Sequence, residues 1–232
     1  MRLKLERGRP GQDGSSGEPA FLGPLRPLLL SVELVLLFLA LPLIYALLRP
    51  PLHIFGVLWT IAGGCAVSLL LDRRFERSRL WGSRDFLKHM KVVLARFVPV
   101  ALVTVASVWA FLPEQLFALP RERPGLWALI LVAYPWVSVY PQGIVYRAFV
   151  FHRYKPLLGE RWPMVIASGF LFAYSHIVFR NWPAVALTLL GGLLFAATYR
   201  RTRSLLVCLV EHALYGLLMF TVGLGRYLYL SM

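Results

Sequence analysis

The chain has 232 residues, and 58% of them are hydrophobic. A soluble domain is usually about 45–50% apolar, so this composition indicates a multi-span membrane protein and excludes an ordinary soluble enzyme. The formal net charge of +14 is compatible with nucleic-acid binding, but no soluble basic segment is long enough to form such a domain, and we expect no nucleic-acid partner. Cys65 and Cys208 both lie in apolar stretches and predict neither a disulfide nor a zinc site.

Residues 1–26 have no apolar run and predict a disordered basic cytosolic tail. Seven apolar stretches follow, each near the ~20 residues that a helix needs to cross a bilayer. They lie at about 27–48, 52–71, 92–112, 126–151, 163–179, 183–199 and 204–223. The predicted fold is therefore an all-α polytopic membrane helical bundle of about seven transmembrane helices. Three N-terminal helices occupy 27–125, a four-helix core occupies 126–223, and 224–232 form a short C-terminal tail.

Lysine and arginine are distributed unevenly between the two sides of the predicted bundle. With the N-terminus in the cytosol, eighteen of them fall on the cytosolic side and five on the opposite side. The positive-inside rule therefore predicts a cytosolic N-terminus, near an inner leaflet of anionic lipids. The small size and short loops favour the cell (plasma) membrane over the membrane of an organelle. Segment 72–91 mixes cations with aromatic and aliphatic residues, and two interpretations stay open. It forms either an amphipathic helix on the inner leaflet or a solvated basic loop that sets topology.

Ionisable side chains inside the spans are costly in lipid and are therefore candidate functional residues. They are Glu33, Arg96, Arg147, His176, Glu211 and His212, with the polar Gln142 beside them. At 1.5 Å per residue, Gln142, His176 and His212 lie at similar depths on three different helices, nearer to the cytosol. A water-filled cavity at that depth suits hydrolysis, because an imidazole can deprotonate a water near neutral pH. Proton relay, substrate translocation and structural pairing stay open as alternatives.

Three motifs in the last four spans resemble those of the CPBP family, which includes the CAAX prenyl endopeptidases and the bacteriocin self-immunity proteins. Each motif places one or two polar residues inside an apolar span: Gln142-Gly143-Ile-Val-Tyr-Arg147, Phe172-Ala-Tyr-Ser-His176 and His212-Ala-Leu-Tyr-Gly216. The order and separation of the motifs within 126–223 carry the resemblance.

The resemblance implies an intramembrane endopeptidase without a cofactor. In the family, a glutamate and the second-motif histidine activate a water, while the third-motif histidine and an asparagine four residues later stabilise the oxyanion. A second glutamate pairs with the arginine of the first motif. Carried across, the predicted catalytic residues are Gln142, His176, His212 and Arg147. The predicted substrate-cavity residues are Gly143, Phe172 and Gly216.

Three family positions depart from the pattern, because Gln142, Gly143 and Gly216 stand where the family has two glutamates and an asparagine. A glutamine amide can hold a water but cannot accept its proton, and loss of a general base typically lowers a rate by ~10²–10⁴.

Two acids elsewhere in the spans are candidate substitutes for the missing base. They are Glu33 and Glu211, although a structural or arginine-pairing role is favoured for each. Without a carboxylate at 143, Arg147 is expected to extend toward the cytosolic interface or to pair with Glu33 or Glu211.

Two main functions fit these observations. The first is a CPBP-type intramembrane endopeptidase that hydrolyses a membrane-embedded or membrane-anchored peptide or protein, including CAAX-type substrates. The second is a catalytically silent relative that acts as a membrane binding, immunity or sorting protein. A small transporter is a third class, although no internal repeat is visible. A metal site of His176, His212 and Glu211 is a further alternative, but no HExxH motif occurs, and no metal or cofactor is predicted.

Overall fold

The protein is described here by a computed structural model that covers residues 24–50, 52–82 and 85–228. Seven long helices make up most of these ranges, and no strand occurs in them: α1 Arg26–Leu48, α2 Ile54–Leu71, α3 Phe86–Phe111, α4 Pro124–Arg153, α5 Trp162–Phe179, α6 Trp182–Thr202 and α7 Leu205–Thr221. The predicted all-α membrane bundle is thus confirmed. Most of the predicted N-terminal tail (1–23) and residues 229–232 lie outside the described residues.

The helices α1 to α6 are long and apolar enough to cross a membrane, and α7 is slightly shorter. With 17 residues, α7 is about 26 Å long at 1.5 Å per residue, at the lower end of the range for transmembrane helices. The third predicted span began at residue 92, whereas α3 begins at Phe86. The difference arises because polar residues in the first turns of a helix lower its local hydropathy without ending its hydrogen bonding.

Segment 72–91 is packed against the bundle along part of its length. Phe75 is buried and meets the His152 ring edge-on, with 5.2 Å between ring centroids. His152 Nε2 also lies 2.7 Å from Asp72 Oδ2, and this hydrogen bond lowers the pKa of Asp72. A short helix, Ser78–Trp81, follows before α3 begins. The segment is thus anchored at its start, while most of its other described side chains before α3 stay exposed. Both interpretations of its role at the membrane stay predictions.

The core of the bundle is built mainly from the later helices. Between 11% and 17% of the residues in the most apolar windows of α1, α2 and α3 are buried, against 33% to 44% in α4, α5 and α6. Large apolar side chains on the early helices stay exposed, for example Leu47, Leu71 and Phe111. Such exposed apolar surface is expected where lipid, rather than protein, surrounds a helix. The three motifs lie on α4, α5 and α7, within the better-packed half.

The helix α4 is irregular around the first motif. Two π-helical segments, Pro135–Val139 and Ile144–Phe149, flank the single α-helical turn Tyr140–Gly143. Pro135 and Pro141 lack the N–H that would complete the regular hydrogen-bond ladder. Short π-helical insertions redirect side chains and are frequent at functional sites.

The helices α5 and α6 form a close antiparallel pair. Arg180 adopts a left-handed conformation, with φ of 56°, and Asn181 Oδ1 accepts a hydrogen bond from the backbone N–H of Ala184 at the start of α6. These two residues form the tight reversal between α5 and α6. A Cβ atom on Gly192 would lie 2.8 Å from the carbonyl oxygen of Gly169, so two glycines allow the backbones to approach, as small residues do between membrane helices.

Candidate functional site

The Gln142 side chain is fixed at one end and free at the other. Its Nε2 atom donates a hydrogen bond of 2.9 Å to Ser138 Oγ, one helical turn earlier on α4. Its Oε1 atom is buried and has no hydrogen-bond partner among the described residues. A buried acceptor without a donor is unfavourable by about 1–3 kcal/mol. This oxygen is therefore suited to accept a hydrogen bond from a bound water or from a substrate N–H.

The His176 ring is oriented by its own helix. Its Nδ1 atom lies 2.7 Å from the carbonyl oxygen of Phe172. Because a carbonyl oxygen only accepts, Nδ1 carries the proton and Nε2 is left as the acceptor nitrogen. The ring also lies against Phe172 and Phe179, with centroid distances of 4.7 and 5.6 Å. His176 thus presents a lone pair at Nε2, which is what a general base requires.

Gln142 and His176 line the same cavity, of about 120 Å³, between α1, α2, α4 and α5. Most of its wall is apolar, and the other polar or sulfur-containing side chains in it are Tyr45, Cys65, Tyr146 and Ser175. No carboxylate is among the described lining residues, and neither is His212. The structure therefore brings the first and second motifs together at one cavity that has a histidine but no acid.

His212 of the third motif lies on α7, separated from this cavity by aromatic rings. Its imidazole stacks on Phe195, with centroids 4.6 Å apart and planes 24° apart, and meets the Phe172 ring edge-on at 5.4 Å. The same Phe172 ring contacts His176. The two histidines, predicted to lie at similar depths, thus both contact the Phe172 ring, which lies between them.

Tyr134 occupies the space that a side chain at position 216 would take. A Cβ atom added to Gly216 would lie 2.6 Å from Cζ of Tyr134 and in closer contact with the Tyr134 hydroxyl oxygen. The Tyr134 ring is also perpendicular to the His212 ring, with centroids 6.3 Å apart. A phenol from α4 therefore stands where the family has an amide from α7.

Arg147 is buried, and its partners are neutral. Nη1 donates to Ser168 Oγ at 2.7 Å, Nη2 donates to the carbonyl oxygen of Gly192 at 3.2 Å, and the guanidinium lies 5.0 Å from the centroid of the Phe172 ring. The expectation that Arg147 reaches the interface or pairs with Glu33 or Glu211 is wrong, because no carboxylate forms an ion pair with it in the described chain. Carbonyl oxygens and an aromatic face take the place of the missing acid.

Gly143, the position of the family's second glutamate, is covered by α7. A Cβ atom there would lie 2.7 Å from Leu209 Cδ2 and 3.1 Å from Leu205 Cδ1. The three predicted substrate-cavity residues, Gly143, Phe172 and Gly216, all lie outside the described lining of the cavity. The space beside each of the two glycines is taken by a neighbouring side chain, and Phe172 is itself buried in the core.

Both candidate substitute acids are bound to arginines. Glu33 accepts hydrogen bonds from Arg153 at 2.7 and 3.0 Å and from the Tyr154 hydroxyl at 3.0 Å. Glu211 is fully buried and accepts a hydrogen bond of 3.0 Å from Arg96 Nη2. Neither glutamate lines the cavity of Gln142 and His176, so the favoured arginine-pairing role is the one that the structure provides for each.

Metal binding has no assembled site in the described part of the chain. No three His, Cys, Asp or Glu side chains come together there as a metal site requires. The alternative site of His176, His212 and Glu211 is not formed, because Glu211 is paired with Arg96 and His212 is enclosed by aromatic rings.

Three contributing residues were not anticipated from the sequence. Ser138 stands four residues before Gln142, and this helical spacing is a local signal that could have identified it. Ser168 reaches Arg147 from another helix, and Tyr134 reaches α7 from α4. Neither contact has a signature in the neighbouring sequence.

Comparison with known proteins agrees with the motifs. The family model "Type II CAAX prenyl endopeptidase Rce1-like" matches residues 123–218, which include α4, α5, α6 and most of α7. No curated protein and no solved structure matches the chain. The resemblance to the CAAX protease group, inferred from three short motifs, is therefore confirmed over this part of the chain.

Proposed function

We propose that this Rce1-like membrane bundle hydrolyses a peptide bond of a membrane-embedded or membrane-anchored substrate, with His176 as general base. The observation that carries the proposal is that Gln142, with its unpartnered Oε1, and His176, with its acceptor Nε2, line the same cavity. Both atoms are acceptors in a mostly apolar wall, so each is best satisfied by a hydrogen-bond donor that occupies the cavity. A water, which has two O–H donors, satisfies both acceptors.

The reaction follows from the hydrogen-bonding capacity of these two side chains. The water donates one proton to a hydrogen bond with Gln142 Oε1 and the other to His176 Nε2. As the water oxygen attacks the substrate carbonyl carbon, His176 Nε2 takes its proton and becomes an imidazolium. The C–N bond then breaks as the imidazolium returns that proton to the leaving amine. Gln142 positions the water without taking a proton, so we expect slow turnover.

The substrate is proposed to approach through the bilayer, because the lipid-exposed helices α1 and α2 supply most of the apolar part of the cavity wall. We place the protein in the cell membrane, with anionic lipids on its cytosolic side. His212 and Arg147 contribute by holding Phe172, whose ring contacts both side chains and His176. In this arrangement they position the base and do not touch the water.

The test is cleavage of a library of membrane-anchored peptides by the full chain reconstituted in bilayers, read by mass spectrometry. His176→Ala is expected to abolish cleavage, whereas His53→Ala, which replaces an exposed histidine outside the cavity lining, is the matched control and should leave cleavage unchanged. Gln142→Glu restores a carboxylate base without an added atom of bulk and is expected to raise the rate by ~10²-fold or more. Cleavage that persists in His176→Ala would refute the assignment of the base.

A catalytically silent binding protein is the second candidate, and the absence of a carboxylate from the described cavity wall favours it. In that case Gln142 Oε1 accepts a hydrogen bond from a peptide N–H of a bound membrane segment. Cross-linking of a captured segment should then survive His176→Ala but be lost in Cys65→Trp, because the larger side chain fills the cavity. The native chain should also cleave nothing in the assay above.

A further inference from the structure

A larger cavity, of about 530 Å³, lies at the end of the bundle where α3 begins and α6 ends. Its volume falls within the ~300–1,000 Å³ of ordinary ligand pockets. Its charged and titratable lining is strongly basic: His89, Arg96, Arg200, Arg201, Arg203 and one carboxylate, Glu160. The cavity shares no lining residue with that of Gln142 and His176.

The carboxylates near this cavity are already bound to other cations. Glu160 Oε1 lies 3.0 Å from Lys155 Nζ and 3.3 Å from Arg203 Nη2. Glu211, beneath the cavity, is paired with Arg96 at 3.0 Å. The positive charge of the remaining two arginines is therefore not balanced by these acids.

Arg200 and Arg201 are those two arginines, and neither has a carboxylate partner in the described chain. Arg200 packs its guanidinium over the Trp162 ring, 4.5 Å from its centroid, which fixes its orientation. Its Nε atom is buried and has no hydrogen-bond partner among the described residues. Arg201 is exposed beside it. Buried donors are normally hydrogen-bonded, so an oriented guanidinium with an unpartnered N–H indicates that a ligand supplies the hydrogen-bond acceptor.

The position of the cavity identifies the acceptor. Guanidinium groups bind phosphate oxygens through paired N–H donors, which a point charge cannot do. The cavity lies among helix ends, which the predicted orientation places on the cytosolic side, where we expect lipid head groups. Basic pockets between helices on that side bind anionic head groups. We propose that this cavity binds the phosphate group of an anionic phospholipid, with Arg200 and Arg201 as its principal ligands.

The test is native mass spectrometry of the full chain, titrated with phosphatidylglycerol, phosphatidylcholine or inorganic phosphate. The native chain should bind phosphatidylglycerol in preference to phosphatidylcholine. Arg200→Gln/Arg201→Gln should weaken that binding by about 30-fold, which corresponds to about 1 kcal/mol for each arginine. Lys88→Gln/Lys91→Gln is the matched control, because it removes two exposed charges from the same end of the bundle without altering the cavity lining.

The outcomes separate the site from general attraction to anionic lipid. Equal weakening in the arginine and lysine pairs would overturn the proposal, as would equal affinity for the two lipids. Binding of inorganic phosphate that the arginine pair loses would support the phosphate site and identify the free anion as a further source. Arg201→Gln alone changes an exposed side chain, and a several-fold loss there would support the proposal if the double variant did not fold.

Discussion

Replacing Gly216 with alanine should destabilise the bundle, because the Tyr134 phenol already fills the adjacent space. The added Cβ atom would lie 2.6 Å from Tyr134 Cζ, well inside van der Waals contact. Overpacking of this kind costs about 1–3 kcal/mol, whereas the replacement of a helical glycine by alanine in itself stabilises by about 1 kcal/mol. We therefore expect the free energy of unfolding to fall by up to about 2 kcal/mol, with a larger fall for asparagine at 216 than for alanine.

The measurement is reversible unfolding in mixed micelles with increasing dodecyl sulfate, for Gly216→Ala, Tyr134→Ala and the double variant. Tyr134→Ala alone destabilises by leaving a cavity, which the alanine at 216 then partly fills, so the two changes should couple by about 1–2 kcal/mol. Gly63→Ala on α2 is the control, since an added Cβ meets nothing within 4 Å there. Strictly additive effects at 216 and 134 would refute the packing argument.

Three further predictions use the same unfolding assay or the peptide assay. Ser168→Ala removes the hydroxyl that accepts from Arg147 and should lower the unfolding free energy by about 1.5–3 kcal/mol; a change below about 0.5 would contradict it. Since hydrogen bonding by His152 lowers the pKa of Asp72, the carboxylate contributes stability above the usual carboxyl pKa of about 4 and loses it as pH falls through the lowered value. Asp72→Asn should therefore reduce the difference in stability between pH 6 and pH 3. Glu33→Gln should leave any peptide cleavage unchanged, because Glu33 does not line the cavity. Loss of cleavage in a folded Glu33→Gln variant would instead favour Glu33 as the general base.

The architecture was predictable because it depends on local properties of the sequence. Hydropathy over ~20 residues located every long helix of the described chain. The rise per residue also placed His176 and His212 at similar depths on two helices, and both side chains contact Phe172. Depth along a helix is a property of residue number, so this part of the site could be anticipated.

The side chains and carbonyl groups that contact Gly216 and Arg147 were not predictable, because they come from distant parts of the chain. Tyr134 packs against Gly216, 82 residues later in the chain, and the carbonyl oxygen of Gly192 accepts a hydrogen bond from Arg147, 45 residues earlier. The rotation of each helix about its axis decides these contacts, and π-helical segments such as Ile144–Phe149 change that rotation from its regular value. For this reason an acid partner was wrongly expected for Arg147.

The three positions that differ from the family motifs have different surroundings, and these decide which family residue the structure can accommodate. At Gly143 and Gly216, a returned glutamate or asparagine would collide with Leu209 or Tyr134. At Gln142 the cavity remains, and glutamate has almost the same shape as glutamine, with Ser138 able to donate to it. Gln142→Glu alone would thus supply a carboxylate base, whereas at Gly216 the Tyr134 ring occupies the space that an asparagine would need. Any activity gained by Gln142→Glu must therefore proceed without the family's asparagine, on a frame in which Phe172 links both histidines.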